Sequence, residues 1–353
     1  MQRELDQPFK KLKIAITADP QIPVPPTYYG GIERIIEMLV EGLVKQGHQV
    51  SLFAHKESVT KALFYPYPSK TNDTVGTLKN MIFVNKVLLT NQFDIIHSFS
   101  RLAYLLPALF SKTPKIMSYQ REPTIGQIKK AHKLARKNTL FFTGCSKYIS
   151  DKISPFAKSY TVYNGTDPAK YSFTQQFDNA KPLIFLGRIE PIKGVHLAIE
   201  IANRTNKDLI ICGNISQEHQ SYFDEKIYPY LSEKIRYVGP VDDEQKKRLL
   251  SNSCALLMPI IWDEPFGIVM VEAMACGTPV IGFKRGAVPE VVVQGVNGYY
   301  GNTVNELVEY VNQIKNISRT TVFEHYMKNF SSSVIVDDYL KLYYKLISKR
   351  NEP

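Results

Sequence analysis

Three hundred and fifty-three residues exceed one compact layer and suit two domains with separate cores. With 44% hydrophobic and 22% charged residues and a mean hydropathy of −0.19, the chain resembles neither a disordered tail nor a membrane protein. Forty-four Lys and Arg against 33 Asp and Glu leave +11, which favours an anionic partner such as a phosphate-rich substrate, an acidic membrane or nucleic acid.

In chain order, the start MQRELDQPFKKLK lacks the apolar stretch of a secretory signal, and no run of 18 apolar residues follows, so the expected address is the cytoplasm. KIAITA at 13–18 reads as a strand, followed by a proline-rich loop ending in Tyr28-Tyr29-Gly30-Gly31. Ile32, Ile35, Ile36, Leu39, Val40 and Leu43 then repeat at helical spacing, with Gly47 as the stop. QVSLFA, FDIIHS, KIMSY and TLFFTG are further short apolar strands, separated by helical or polar stretches. That alternation predicts a parallel sheet covered on both faces.

The pattern breaks at YNGTDP (163–168), and a polar stretch runs on to residue 182. A second series then starts: PLIFLGR, a helix after Gly194, DLIICG, IRYVG, CALLMP and TPVIGF. The expected domains are residues 1–165 and 183–330, a linker at 166–182, and a C-terminal helix in 331–353 with Val334, Tyr339, Leu342, Tyr343, Leu346 and Ile347 on its apolar side. Two doubly wound domains in series are expected to face a cleft with the carboxyl ends of their strands, where open α/β sheets bind ligands. Cys145, Cys212, Cys254 and Cys276 lie far apart and match no zinc spacing, so they read as reduced core residues.

The densest chemical signal is WDEPFGIVMVEAMACG at 262–277. A helix opening near Phe266 or Gly267 puts Glu264 just before its N-terminus and Glu272 about two turns in, too far apart for a carboxylate dyad and suited to two contacts along one extended ligand. The N–H groups of Phe266, Gly267, Ile268 and Val269 offer a site for phosphate or hydroxyl oxygens. A helix-capping acid beside an ordinary surface acid would give the same letters. In GRIEPIKG, Arg188 and Lys193 follow the first strand of the second domain and can both reach a diphosphate. Gly30-Gly31 before the first helix allows a similar close approach to backbone.

These segments, together with GHQVSLFA, DIIHS and the run EPFGIVMVEAMACGTPVIGFKRGAVPEVV followed by NGYY, resemble the retaining glycosyltransferases of family four, which have the two-domain GT-B architecture. The resemblance spans almost the whole chain. It implies that Arg188 and Lys193 hold the donor diphosphate, Glu264 the transferred sugar and Glu272 the ribose. It also implies a C-terminal helix that packs back toward the N-terminal domain. Gln120 stands where many members carry a histidine; it can hydrogen-bond a hydroxyl but does not titrate near neutral pH. His97, ending DIIHS, is the alternative contact to sugar or acceptor, or else a strand-end histidine that bonds a neighbouring backbone. No D-x-D occurs, so metal-independent transfer with no cofactor beyond the nucleotide sugar is expected, the cations taking the leaving diphosphate. Base contacts are expected from backbone at 213–216 and 239–242.

Lys129, Lys130, Lys133, Arg136 and Lys137, interleaved with Ile128, Leu134 and Ala135, could form a basic amphipathic segment that lies on the anionic inner face of a cell membrane, or simply a solvated helix face. The resulting expectation is a hexosyltransferase that uses a nucleoside-diphosphate sugar, a UDP-sugar by preference, and a glycan or lipid-linked acceptor. The rivals are a sugar-nucleotide epimerase or phosphorylase on the same fold, and a non-catalytic basic module. Nucleic acid is not the expected partner, because no recognised motif appears and the cations read as spread along the chain.

Overall fold

The computed structural model describes residues 10–26, 30–71, 73–176 and 178–349. Tyr28 and Tyr29 lie outside the described residues. The chain packs as two units, one formed by residues 1–145, 149–162 and 336–353 and the other by 146–148 and 163–335.

Unit 1 holds strands β1 (Lys13–Thr17), β2 (Gln49–Ala54), β3 (Leu63–Pro66), β4 (Ile95–Ser98), β5 (Lys115–Tyr119), β6 (Leu140–Gly144) and β7 (Ser159–Thr161). All pair in parallel, in the order β3-β2-β1-β4-β5-β6-β7. The connections use α1 (Gly31–Lys45), α2 (Thr74–Thr90), one-turn helices at Leu102–Leu105 and Pro107–Phe110, α3 (Ile125–Leu134) and α4 (Lys147–Ile153). Strands β4, β5 and β6 are buried at every residue, as a sheet covered on both faces requires. The stripe read from the sequence of α1 is its buried face: Ile35, Ile36, Leu39, Val40 and Leu43 are at most 1% exposed.

Unit 2 holds β8 (Leu183–Leu186), β9 (Leu209–Cys212), β10 (Ile235–Gly239), β11 (Ala255–Met258), β12 (Val280–Phe283) and β13 (Gly298–Gly301). They too are parallel, in the order β10-β9-β8-β11-β12-β13. Its helices are α5 (Val195–Thr205), α6 (Gln220–Lys226), α7 (Asp243–Ser251), α8 (Ile268–Ala275), α9 (Val288–Val291), α10 (Val304–Gln313) and α11 (Arg319–Asn329). The final helix α12 (Ser332–Lys349) returns to unit 1 from Val336, where Val336 lies against Gly42 of α1. Its buried side comprises Ile335, Val336, Tyr339, Leu342, Tyr343 and Leu346, whereas Val334 and Ile347 are only half-buried.

The two doubly wound sheets expected from the alternation are therefore present. The division falls at residue 162 rather than 165, and the segment read as a linker is built into unit 2, where the Tyr171 hydroxyl donates to Glu272 Oε1 at 2.8 Å. All four cysteines are buried, and burial pushes the Cys212 thiol up to about 12. Among the described residues no helix is long and apolar enough to cross a membrane.

Candidate functional site

The order of each sheet reverses direction at one place, between β1 and β4 in unit 1 and between β8 and β11 in unit 2. Loops leaving the carboxyl ends of strands diverge at such a switch point and leave a crevice. In unit 2 those loops are 187–194 after β8 and 259–267 after β11, and they carry the residues singled out from the sequence.

Gly194 shows why the loops meet. Its φ is +74°, and a Cβ there would sit on the carbonyl oxygen of Pro259, so only glycine lets the β8 turn pack on the β11 loop. Lys193 is thereby carried to Glu264: Nζ lies 2.7 Å from Oε2, with the two side chains 17% and 13% exposed. The Trp262 indole N–H donates to the same Oε2 at 3.0 Å, and the Lys193 ammonium stands 4.8 Å from the Trp262 ring centroid. Gly286 closes the other side. At φ +52°, a Cβ would run into the Glu264 backbone, and the adjacent Ala287 N–H donates to the Glu264 carbonyl at 2.9 Å.

Arg188 pairs with Glu190, Nη2 to Oε1 at 2.8 Å; the arginine side chain is 45% exposed and the glutamate 7%. Helix α8 starts at Ile268 with Gly267 as its N-cap, and no side chain takes the cap bond. Glu272 thus lies about one turn into the helix, not two. Its Oε1 accepts from Lys246 Nζ at 2.6 Å and from Tyr171. Phe266 is 2% exposed and packs in the core, so only its backbone is available to a ligand, next to the half-buried Gly267, Ile268 and Val269. The loops expected to meet a base are tied together, Gly213 N–H donating to the Gly239 carbonyl at 2.9 Å.

Lys246, Glu190, Trp262 and Tyr171 were not singled out from the sequence. Glu190 sits inside GRIEPIKG, and Trp262 is the only tryptophan of the chain, so both had a signal. Lys246 lies in the uniformly polar DEQKKRLLS and had none. In unit 2, then, three cations alternate with three carboxylates, an arrangement that can exchange internal ion pairs for a bound diphosphate and hydroxyls.

Unit 1 holds a cavity of about 660 Å³ at the carboxyl ends of its strands, lined by Asp19, Ile32, Arg101, Gln120, Arg121 and Lys130 among others. Gln120 follows β5 directly and is half-buried on the wall of this cavity. Gly30 and Gly31 open α1 as expected, and Glu33 of its first turn folds back beside Gly30. Glu33 is 4% exposed, its Oε2 would lie 2.9 Å from a Cβ on Gly30, and it accepts from its own backbone N–H. Burial pushes its carboxyl up from the usual range.

His97 needs correction. It was expected to contact sugar or acceptor, yet it is 0% exposed, with Nδ1 2.6 Å from the Tyr343 hydroxyl and Nε2 2.6 Å from Ser118 Oγ. The strand alternation turns it into the layer beneath α12, where it stitches that helix to the sheet. Burial pushes its imidazole down to about 3. The unfolded chain takes up a proton near 6.5, whereas the folded one refuses it until about 3. The contribution of His97 to stability is therefore complete above 6.5 and lost as pH falls from there toward 3. Unfolding free energy should drop by roughly 1.4 kcal/mol per pH unit between pH 6 and 4. Denaturant titrations at several pH values check this: His97→Gln should flatten the slope, and an unchanged slope would refute it. Burial also lowers His48, His196 and His325, in the same direction.

Comparison with known proteins adds the relatives. A family model described as Glycosyltransferase Family 4 matches residues 29–170, and one described as Glycosyl transferases group 1 matches residues 169–329. An uncharacterized glycosyltransferase of Methanocaldococcus jannaschii is 24% identical over 326 residues, 78% of this chain and 82% of that protein. Among solved structures, a glycosyltransferase involved in avilamycin A biosynthesis superposes with a TM-score of 0.75 at 23% identity, covering 96% of this chain and 98% of its own. The Anabaena protein HepE, in complex with UDP and glucose, superposes with a TM-score of 0.71 at 20% identity, covering 95% of this chain and 100% of its own.

Proposed function

The chain belongs to the group 1, family 4 glycosyltransferases, with the GT-B fold, and from that premise we propose that it moves a hexose from a UDP-sugar to a glycan or lipid-linked acceptor with retention of anomeric configuration. The observation that carries the proposal is the cluster of Lys193, Glu264 and Trp262 beside Arg188 at the switch point of unit 2. The complex of HepE with UDP and glucose supports the choice of donor.

Each residue then has a task. Arg188 and Lys193, with the uncapped N–H groups opening α8, receive the diphosphate and stabilise the charge it gains as it leaves. Glu264 accepts hydrogen bonds from sugar hydroxyls, and Glu272, steadied by Lys246 and Tyr171, accepts from the ribose. The bond from the anomeric carbon to the phosphate oxygen breaks as the acceptor oxygen bonds to the same face of that carbon. The acceptor's proton passes to the departing phosphate oxygen, so no protein nucleophile is required. The cavity beside Gln120 takes the acceptor. The cations do the work of a metal, so turnover persists in EDTA. The enzyme works in the cytoplasm, held peripherally on an anionic membrane by the cations of α3 and the turn after it.

Trp262 supplies the test. As the only tryptophan, bonded to Glu264, it should change its fluorescence on titration with UDP, and UDP-sugar turnover should survive chelation. No fluorescence change together with no calorimetric heat would remove the donor assignment; activity lost in EDTA and restored by Mg²⁺ would remove the metal independence.

A further inference from the structure

The net charge is not spread evenly along the chain. Residues 74–139 carry eleven Lys and Arg against two Asp and Glu, which is +9 of the total +11; Lys115 is buried in β5, and the other ten cations reach the surface. The stretch holds α2, the two one-turn helices and α3. The crossovers β3 to β4, β4 to β5 and β5 to β6 all advance in the same direction along the sheet, so right-handed connection places these elements on one face of it. Helix α2 touches both one-turn helices, and α3 touches the second.

Helix α2 is apolar on its exposed side as well as on its buried one, where Val84 and Leu88 pack. It turns Asn80 and Asn85 inward, where Asn80 Nδ2 donates to the Ser69 carbonyl at 2.8 Å and Asn85 Nδ2 to the Tyr104 carbonyl at 2.9 Å. Outward, on one stripe, stand Val75, Leu78, Ile82 and Leu89, exposed by 62%, 49%, 59% and 69%. Lys79 and Lys86 flank the stripe. Phe110 on the neighbouring one-turn helix is 66% exposed, and Leu134 at the end of α3 is 53% exposed. A solvated helix presents polar side chains outward, so a continuous exposed aliphatic stripe over four turns marks a face built for a partner.

The chemistry selects among partners. A second copy of the chain would oppose one strongly positive face to another, which is repulsive. A nucleic acid would satisfy the lysines through its phosphates but leave the aliphatic stripe facing water and charge. An anionic bilayer satisfies both, because aliphatic side chains enter the boundary between headgroups and acyl chains while lysines beside them reach back to lipid phosphates. Leu106, Lys130 and Leu134, along this face, also line the cavity that carries Gln120.

We propose that the α2–α3 face of unit 1 docks on an anionic bilayer, with the Val75–Leu89 stripe inserted, and that the cavity receives an acceptor whose carrier stays in the membrane. The docking stands on the face alone; the acceptor clause rests on the transferase reading. The surface is wider than α3 and binds by insertion as well as charge.

Co-sedimentation of the full chain with phosphatidylcholine vesicles, with and without phosphatidylglycerol, tests it. The wild type should pellet with the anionic vesicles only. Leu78→Glu combined with Ile82→Glu should weaken binding at least tenfold, and Lys133→Glu combined with Lys137→Glu by about fivefold for each cation removed near the surface. Both variants should keep the UDP-dependent Trp262 signal and the melting temperature of the wild type, since the replaced side chains face solvent. Wild type left in the supernatant, an α2 variant that pellets like wild type, or tighter binding to a single-stranded RNA than to the anionic vesicles would each overturn the proposal. Docking without any UDP response would sink the transferase reading and leave the surface intact; UDP turnover on a soluble acceptor without docking would do the reverse.

Discussion

Glu264→Gln is expected to cut sugar transfer about a thousandfold while tightening the binding of UDP itself by roughly five- to tenfold. The opposite signs follow from the pair at the site. The Lys193 charge is spent on Glu264 at 2.7 Å, and both side chains are mostly buried. UDP carries no sugar, so it loses nothing when the carboxylate becomes an amide, and it gains a lysine no longer neutralised; an attraction of about 1 kcal/mol in that setting gives the predicted factor. The donor sugar does lose a charged acceptor for its hydroxyls, and misplacing the reacting carbon costs the rate. Arg188→Ala should weaken UDP binding by about 2 kcal/mol, the low end of the range for a charge pair cut at one partner. Its side chain is 45% exposed, so solvent screens part of its effect. Calorimetry with UDP and a turnover assay on the same preparations decide the matter. If Glu264→Gln binds UDP more weakly than wild type, the ion pair does not hold the lysine in reserve and the assignment of roles fails.

The sequence made the fold legible wherever burial repeats at a fixed period. The stripe of α1, the strands of unit 2 other than the short β13, and the reversal of sheet order that places loops 187–194 and 259–267 together all follow from short apolar runs separated by helices. The meeting of Lys193 with Glu264 was legible because loops at a switch point come together and both residues are charged. The failures share a cause as well. His97 looks the same in sequence whether it ends a strand in water or under a helix, and α12, about 240 residues later, decides it by supplying Tyr343. Nothing in Gly30-Gly31 announces that Glu33, three residues on, folds back beside Gly30. Helix α2 shows no apolar period, since its exposed side is as apolar as its buried one. What a pattern cannot carry is the identity of a partner brought from far along the chain.

Arg319 is the extreme case, and its replacement should have the largest effect on stability. Nothing in SRTT distinguishes it from a surface residue, yet it is 1% exposed. Its Nε donates to the Thr174 carbonyl at 2.7 Å, Nη1 to the Ser253 carbonyl at 2.8 Å, and Nη2 to the Cys276 carbonyl at 3.0 Å and Thr278 Oγ1 at 2.7 Å. These partners are neutral, so the charge is held by carbonyl dipoles, and burial lowers its pKa. They belong to the segment before β8, the start of β11 and the end of α8, so one guanidinium ties three pieces of unit 2 together. Arg319→Ala strands several buried acceptors and leaves a cavity, at a cost of about 4 kcal/mol, or a fall of roughly 10 °C in the melting temperature of that unit. Arg319→Met separates the two contributions: it refills the volume without donors, so if hydrogen bonding dominates it should melt within about 2 °C of the alanine variant. A methionine variant close to wild type would show that packing contributes more than the hydrogen bonds. Because the Thr174 segment also carries Tyr171, which steadies Glu272, loosening it should shrink the extra melting temperature that UDP confers on the wild type.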